Sequence, residues 1–358
     1  MTAVGGRHRW LGAAVIGLAL ITAACSGGGG SDSAGLDAEF RSAAGERDMQ
    51  ITGSGKLELG ATLAVPQGAS GPVPGVLIIP GPGDTDRDGP IVARPLDKLY
   101  EDLSTSLTGA GMATLRYDHR GIGESQLDEG QELRWEDMVD DAKEALAFLA
   151  QRSEVDRSRL AVVAHDAAGA IALKLAAGDP QIRSVALISA PGRPLVEVWS
   201  DRFRAEAGQG SADAFRSIID GLLTTGTLPP REQVPPQFQS SLPPGRDGFF
   251  KSLFSVDPLA DAAAVKVPVL IVLGERSTSV TGVDADRLRA ALGGPSEVVV
   301  AANSSPTLQQ VLAAPVRVFD PTNHDLHGLG PPVAEAPRDE ASVARITSFV
   351  AAAVGARQ

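Results

Sequence analysis

The sequence predicts an α/β fold in which a mostly parallel central sheet carries helices on both faces and is interrupted by an inserted helical cap. Two observations predict it. Short β-branched or aliphatic runs alternate with helical patterns along most of the chain, the mark of a sheet covered on both sides. Between about Gly192 and Lys266 this alternation gives way to amphipathic helices and a Pro/Gly-rich stretch from Leu228 to Gly245, after which a strand pattern resumes at Val269. A helical segment that interrupts the sheet in sequence reads as a cap.

Taken in order, strands are expected at Leu57–Val65, Gly75–Ile79, Ala113–Tyr117, Leu160–Val163, Val185–Ile188, Val269–Leu273, Glu297–Val300 and Val316–Phe319. The clearest helix is Leu133–Gln151, where Trp135, Met138, Val139, Ala142, Leu146 and Leu149 recur at helical spacing and form one buried stripe. A second helix is expected from Ala168 to Ala177. The core is assigned to residues 49–191 and 266–358 and the cap to 192–265.

The first 24 residues stand apart. Arg7 and Arg9 precede an uncharged run ending in small residues before Cys25, the only cysteine. An apolar core of about 14 residues falls short of the roughly 20 that a spanning helix needs, so residues 1–24 read as a signal peptide. Thr22-Ala23-Ala24-Cys25 resembles a bacterial lipobox, which implies acylation of the Cys25 thiol, export and a lipid anchor facing outside the cytoplasm. Residues 25–48, opening with Ser26-Gly27-Gly28-Gly29-Gly30-Ser31, read as a flexible tether.

Without residues 1–24 the chain keeps 30 basic side chains against 44 acidic ones, a net charge of −14. So acidic a chain is not expected to bind nucleic acid. His119, His165, His324 and His327 show no metal-ligand spacing, and neither a metal nor a cofactor is expected.

Three segments carry a resemblance. Gly81-Pro82-Gly83-Asp84-Thr85-Asp86-Arg87-Asp88-Gly89 follows one strand, Tyr117-Asp118-His119-Arg120-Gly121-Ile122-Gly123-Glu124-Ser125 follows the next, and Asn323-His324-Asp325-Leu326 follows a strand near the C-terminus. Together they resemble the α/β-hydrolase superfamily, in particular bacterial serine esterases and peptidases, over roughly residues 50–350. The resemblance implies a nucleophile on a Gly-x-Ser-x-Gly strand-to-helix turn, a general-base histidine and an acid that orients it.

At the elbow the chain reads Ala164-His165-Asp166-Ala167-Ala168-Gly169, so the frame of small residues is kept and the serine is replaced by Asp166. The acid position, after the strand Val269–Leu273, reads Gly274-Glu275-Arg276-Ser277, with Ser277 in place of aspartate. The histidine implied is His324. The oxyanion donors implied are the N–H groups of Ala167 and Gly83, because Pro82 has none to offer.

These exchanges alter the chemistry. A hydroxyl at 277 hydrogen-bonds an imidazole but does not stabilise the imidazolium. Asp166 beside His324 favours an ion pair, a poor general base near neutral pH. The expected function is that of a relative of carboxylic-ester hydrolases with ordinary serine hydrolysis lost. Two alternatives stand: a hydrolase using Asp166 as nucleophile on an ester or haloalkane, with His324, and a non-catalytic protein binding a small apolar or acyl ligand. Asp284, Asp320 and Asp325 are further candidates for the missing acid. Structural readings stand beside these: Asp166 as a cap on the following helix, Ser277 as a loop hydroxyl, and Asp86, Arg87 and Asp88 as an ion-paired turn.

Overall fold

The computed structural model describes residues 40–41, 45–91, 97–128, 130–311 and 336–356. Its sheet has nine strands: β1 Phe40–Arg41, β2 Glu46–Thr52, β3 Glu58–Ala64, β4 Val73–Ile79, β5 Ala113–Tyr117, β6 Val155–His165, β7 Ile182–Ile188, β8 Val269–Gly274 and β9 Ser296–Ala301. They lie in the order β1-β2-β3-β5-β4-β6-β7-β8-β9. The pairs from β5 through β9 are parallel, while β1, β2 and β3 add an antiparallel edge.

Parallel strands need crossovers, and these supply the two outer layers. Helices α1 (Leu99–Gly109) and α8 (Glu340–Val354) cover one face, and α2 (Trp135–Ala150) and α3 (Ala168–Gly178) the other. In β4, Val76 and Ile78 pack with the α1 and α8 layer while Leu77 and Ile79 pack with the α2 and α3 layer, as the two-residue side-chain period requires. Apolar residues are needed on both faces, which is why Val76–Ile79, Leu160–Ala164, Val185–Ile188 and Val269–Leu273 read as unbroken aliphatic runs.

Between β7 and β8 come α4 (Leu195–Ala207), α5 (Gln209–Thr225) and α6 (Asp247–Phe254); α7 (Gly282–Ala291) follows β8. The α4–α6 segment holds Phe203, Phe215, Phe238, Phe249, Phe250 and Phe254, six of the chain's ten phenylalanines. Phe215 meets Trp199, Phe203, Phe238 and Phe254 at ring-centroid separations of 4.8–5.8 Å, a packed aromatic nucleus above the sheet.

One expected boundary needs correction. Ordered structure was placed from Met49, yet β2 begins at Glu46 and β1 lies earlier still. Their charged residues hid them: Glu46 pairs with Arg116 at 2.8 Å and Arg47 with Glu154 at 2.6 Å, so ion pairs stand where an apolar run was sought. The expected strand at 316–319 lies outside the described residues, whereas the expected one at 297–300 is β9. Among the described residues no helix is long and apolar enough to cross a membrane.

Candidate active site

The C-terminal ends of β4, β5 and β6 converge on one cavity, the position where open parallel sheets bind ligands. The turn from β6 to α3 is its floor. Asp166 sits there in the left-handed region, φ 53°, a conformation that aspartate tolerates better than most residues. Backbone bonds hold it: Asp166 N–H donates to Ile188 O (2.9 Å) and Gly169 N–H to Asp166 O (2.9 Å). Glycine is required at 169, because a Cβ there would stand 2.6 Å from Ala190 Cβ. The small-residue frame of the elbow is thus enforced by sterics, independently of the side chain at 166.

A buried tyrosine ties this elbow to the loop after β4. Tyr100 Oη, from α1, accepts the Gly81 N–H (2.9 Å) and shares a hydrogen bond with His165 Nδ1 (2.8 Å). Burial raises the phenol well above its ordinary value, with the negative charge of Asp166 adding to the effect, so the hydroxyl keeps its proton. Gly81 N–H is therefore committed to Tyr100 and Pro82 has none. Among the described residues the N–H groups of Gly83 and Ala167 have no acceptor, and both residues line the cavity beside Asp166.

The charges around this floor are braces. Asp86 Oδ1 accepts the N–H groups of Asp88 (2.9 Å) and Gly89 (3.2 Å), Arg87 bonds Asp118 through N–H (2.9 Å) and Nη1 (3.0 Å), and Asp88 pairs with Arg116 (3.1 Å). Arg120 forms a two-pronged pair with buried Asp141, 2.6 Å on each arm. His119 donates from Nε2 to Pro80 O (2.7 Å), and burial lowers its pKa, leaving the imidazole neutral.

The cavity above measures about 250 Å³ and is walled mainly by apolar side chains, among them Leu133, Met138, Trp199, Phe249 and Leu253. Charged groups at its surface are Asp84, Arg120, Asp166 and Arg246. Among the described residues, no group of three or more His, Cys, Asp or Glu is placed to hold a metal ion.

Comparison with known proteins agrees with this architecture. Residues 97–215 match the Serine aminopeptidase, S33 family. Esterase EstD of Thermotoga maritima is 28% identical over 255 residues, covering 71% of this chain and 57% of the esterase, so the chain spans less than three fifths of that relative's length. The esterase domain of a Rhodothermus marinus protein superposes with TM-score 0.53 at 17% identity, covering 87% of this chain and 99% of that one. The alpha/beta hydrolase GrgF of Penicillium sp. sh18 gives TM-score 0.55 at 15% identity over 87% and 99% of the two chains. The chain has the α/β-hydrolase fold of these structures.

Within this α/β-hydrolase fold the structure brings Asp166, Ala167 and Gly83 together around one cavity. Ser277 is elsewhere: it is half-buried in the turn after β8, its Oγ accepts the Val280 N–H (3.2 Å), and it is not among the residues lining that cavity. Asp284 is not free to act as an acid. Its two oxygens accept Gly192 N–H, Arg193 Nε, Arg193 Nη2 and Thr281 N–H at 2.9–3.0 Å. His324, Asp320, Asp325 and His327 lie outside the described residues, as does Cys25. Tyr100 and Arg246 were not foreseen, since each reaches the site from a segment distant in sequence and carries no motif. The aromatic density of 199–254 was the one available signal for the cavity wall.

Proposed function

We propose that this chain is an exported, lipid-anchored α/β-hydrolase-fold protein whose cavity binds a small acyl ligand and whose ordinary serine ester hydrolysis has been lost. The α4–α6 segment acts as the cap over that cavity. One observation carries the reading: the elbow residue lining the cavity is an aspartate, while the hydroxyl at the family's acid position is spent on the Val280 N–H away from the cavity. A carboxylate at the elbow is a weaker nucleophile than an activated serine and holds a neighbouring imidazole in its protonated, non-basic form. The unpaired N–H groups of Gly83 and Ala167 remain suited to an acyl carbonyl oxygen. The esterase names of the relatives supply the acyl class of ligand.

A second reading rests on the same elbow. Asp166 attacks a carbon bearing halogen, expelling halide and forming an alkyl ester on the enzyme, or attacks an acyl carbon, expelling alkoxide that takes a proton from solvent and forming a mixed anhydride; water, deprotonated by His324, then attacks that intermediate, releasing the alcohol or the carboxylic acid and restoring the Asp166 carboxylate. The two readings separate in one experiment. Hydrolysis of short acyl esters and haloalkanes is measured for the mature chain, Asp166→Ala and His324→Ala. Equal inertness of all three supports the binding reading. A rate abolished by both substitutions overturns it in favour of the Asp166 nucleophile. The anchor is tested separately by metabolic labelling with a radioactive fatty acid, which Cys25→Ala should abolish.

A further inference from the structure

Two arginines line the cavity, and their situations differ. Arg120 is already paired, with its fork on Asp141, an Nη2 bond to Ser54 O (3.2 Å) and Asp137 3.9 Å from Nη1. Arg246, the residue preceding α6, is half-buried, and among the described residues its guanidinium has neither a hydrogen bond nor an ion pair. This is unexpected in a chain with 44 acidic side chains and 32 basic ones. The acids near it in the fold are occupied: Asp247 accepts the Leu228 N–H, and Glu132, close to Gly248, pairs with Arg134 at 2.9 Å. Arg246 also reaches across from α6 to the core, its Nη1 lying 3.9 Å from where a Gly121 Cβ would stand. The same helix turns Phe249, Phe250 and Leu253 onto the cavity, so the cation stands at the head of an apolar wall.

From this arrangement we infer that Arg246 recognises the carboxylate of an amphiphilic acyl ligand whose chain fills the cavity. A guanidinium with donors to spare donates two parallel hydrogen bonds to a carboxylate, a match that an ammonium does not reproduce. Topology orients the ligand. Gly121 follows β5 and Asp166 follows β6, and β4 lies between these strands, so the strands that carry the two positions are about 10 Å apart at ordinary spacing. Arg246 attracts a carboxylate, so the anionic end is held at the α6 side and the chain points toward the elbow.

The inference rests on the acyl-binding reading, and the test keeps the two apart. Octanoate and 1-octanol, which share a chain length and differ in the head group, are titrated calorimetrically into the mature wild-type chain, Arg246→Gln and Arg246→Lys. The wild type is expected to bind octanoate about tenfold more tightly than 1-octanol, the worth of a hydrogen bond to a charged group. Arg246→Gln should abolish that preference while leaving 1-octanol binding unchanged, which also certifies its fold, and Arg246→Lys should restore it in part. A wild type that binds both equally, or an Arg246→Gln variant that keeps the preference, overturns the role of Arg246 and leaves the acyl-binding reading standing. Failure of both probes to bind the wild type overturns both.

Discussion

Replacing Asp284 with alanine tests how the cap segment is fastened to the core. Asp284 is fully buried near the start of α7 and Arg193, at the entry to the α4–α6 segment, is 9% exposed. Arg193 spreads its guanidinium over Asp284 (3.0 Å on each of two nitrogens), Asp201 (2.5 Å) and Ser279 O (3.0 Å). Despite the cost of burial, those carboxylates raise the Arg193 pKa further above its ordinary value. Asp284→Ala removes the acceptor for four N–H groups and leaves a nearly buried guanidinium with one carboxylate. Breaking a buried pair from one side costs about 3–5 kcal/mol. Asp284→Asn keeps the shape and one acceptor oxygen, so a smaller loss of about 1–3 kcal/mol is expected. Urea denaturation followed by circular dichroism measures both, read from the midpoint at unchanged slope. A loss below about 1 kcal/mol for the alanine variant would refute the clamp. It would also reopen Asp284 as a reacting acid, because a carboxylate that contributes little to stability is not committed to holding the structure.

Three further outcomes are expected. Gly169→Ala places a methyl group 2.6 Å from Ala190 Cβ and should destabilise by about 1–3 kcal/mol, measured by thermal denaturation; a neutral result would mean the elbow has slack. Tyr100→Phe keeps the ring but strands the Gly81 N–H and the His165 Nδ1 in the interior, costing about 1–3 kcal/mol, and amide exchange at Gly81 should accelerate in that variant. Hydrogen bonds from the Ser158 hydroxyl, then Arg159 and the Ser158 N–H, pull the Asp156 carboxyl down to about 2. A depressed carboxylate stabilises the fold above its unfolded value of about 3.9, and that contribution is lost as the pH falls through its folded value of about 2. The difference in urea midpoint between wild type and Asp156→Asn should therefore be full at neutral pH and shrink steadily below about pH 4; a difference that stays constant over that range contradicts the assignment.

The sheet was legible in the sequence where burial on both faces demanded aliphatic runs, as in Val76–Ile79 and Val269–Leu273. It was illegible where charge replaced burial: Glu46, Arg47 and Asp48 lie on β2, in the antiparallel part of the sheet, and meet Arg116, Glu154 and Thr62 through ion pairs and hydrogen bonds that composition does not reveal. At the site, the elbow was readable because steric crowding forces small residues into adjacent positions. The contacts around it were not. Gly81 and Tyr100, from the connection between β4 and β5, meet His165 at the end of β6, and Arg246 reaches Gly121 across 125 positions of sequence. Residue type announces neither meeting, since a buried tyrosine and a loop arginine have many ordinary roles.

The way the elbow is built bears on how such a protein diverges. The turn at 166 is specified by backbone bonds to Ile188 and Gly169 and by the space denied at Gly169, none of which consults the side chain it displays. The position behaves as an interchangeable socket: a lineage passing between hydroxyl and carboxylate there changes its chemistry without renegotiating its architecture. Mutations that alter function and mutations that alter folding then fall on different residues. Selection for a new ligand is free to proceed at the socket and in the cap while the scaffold stays under separate constraint.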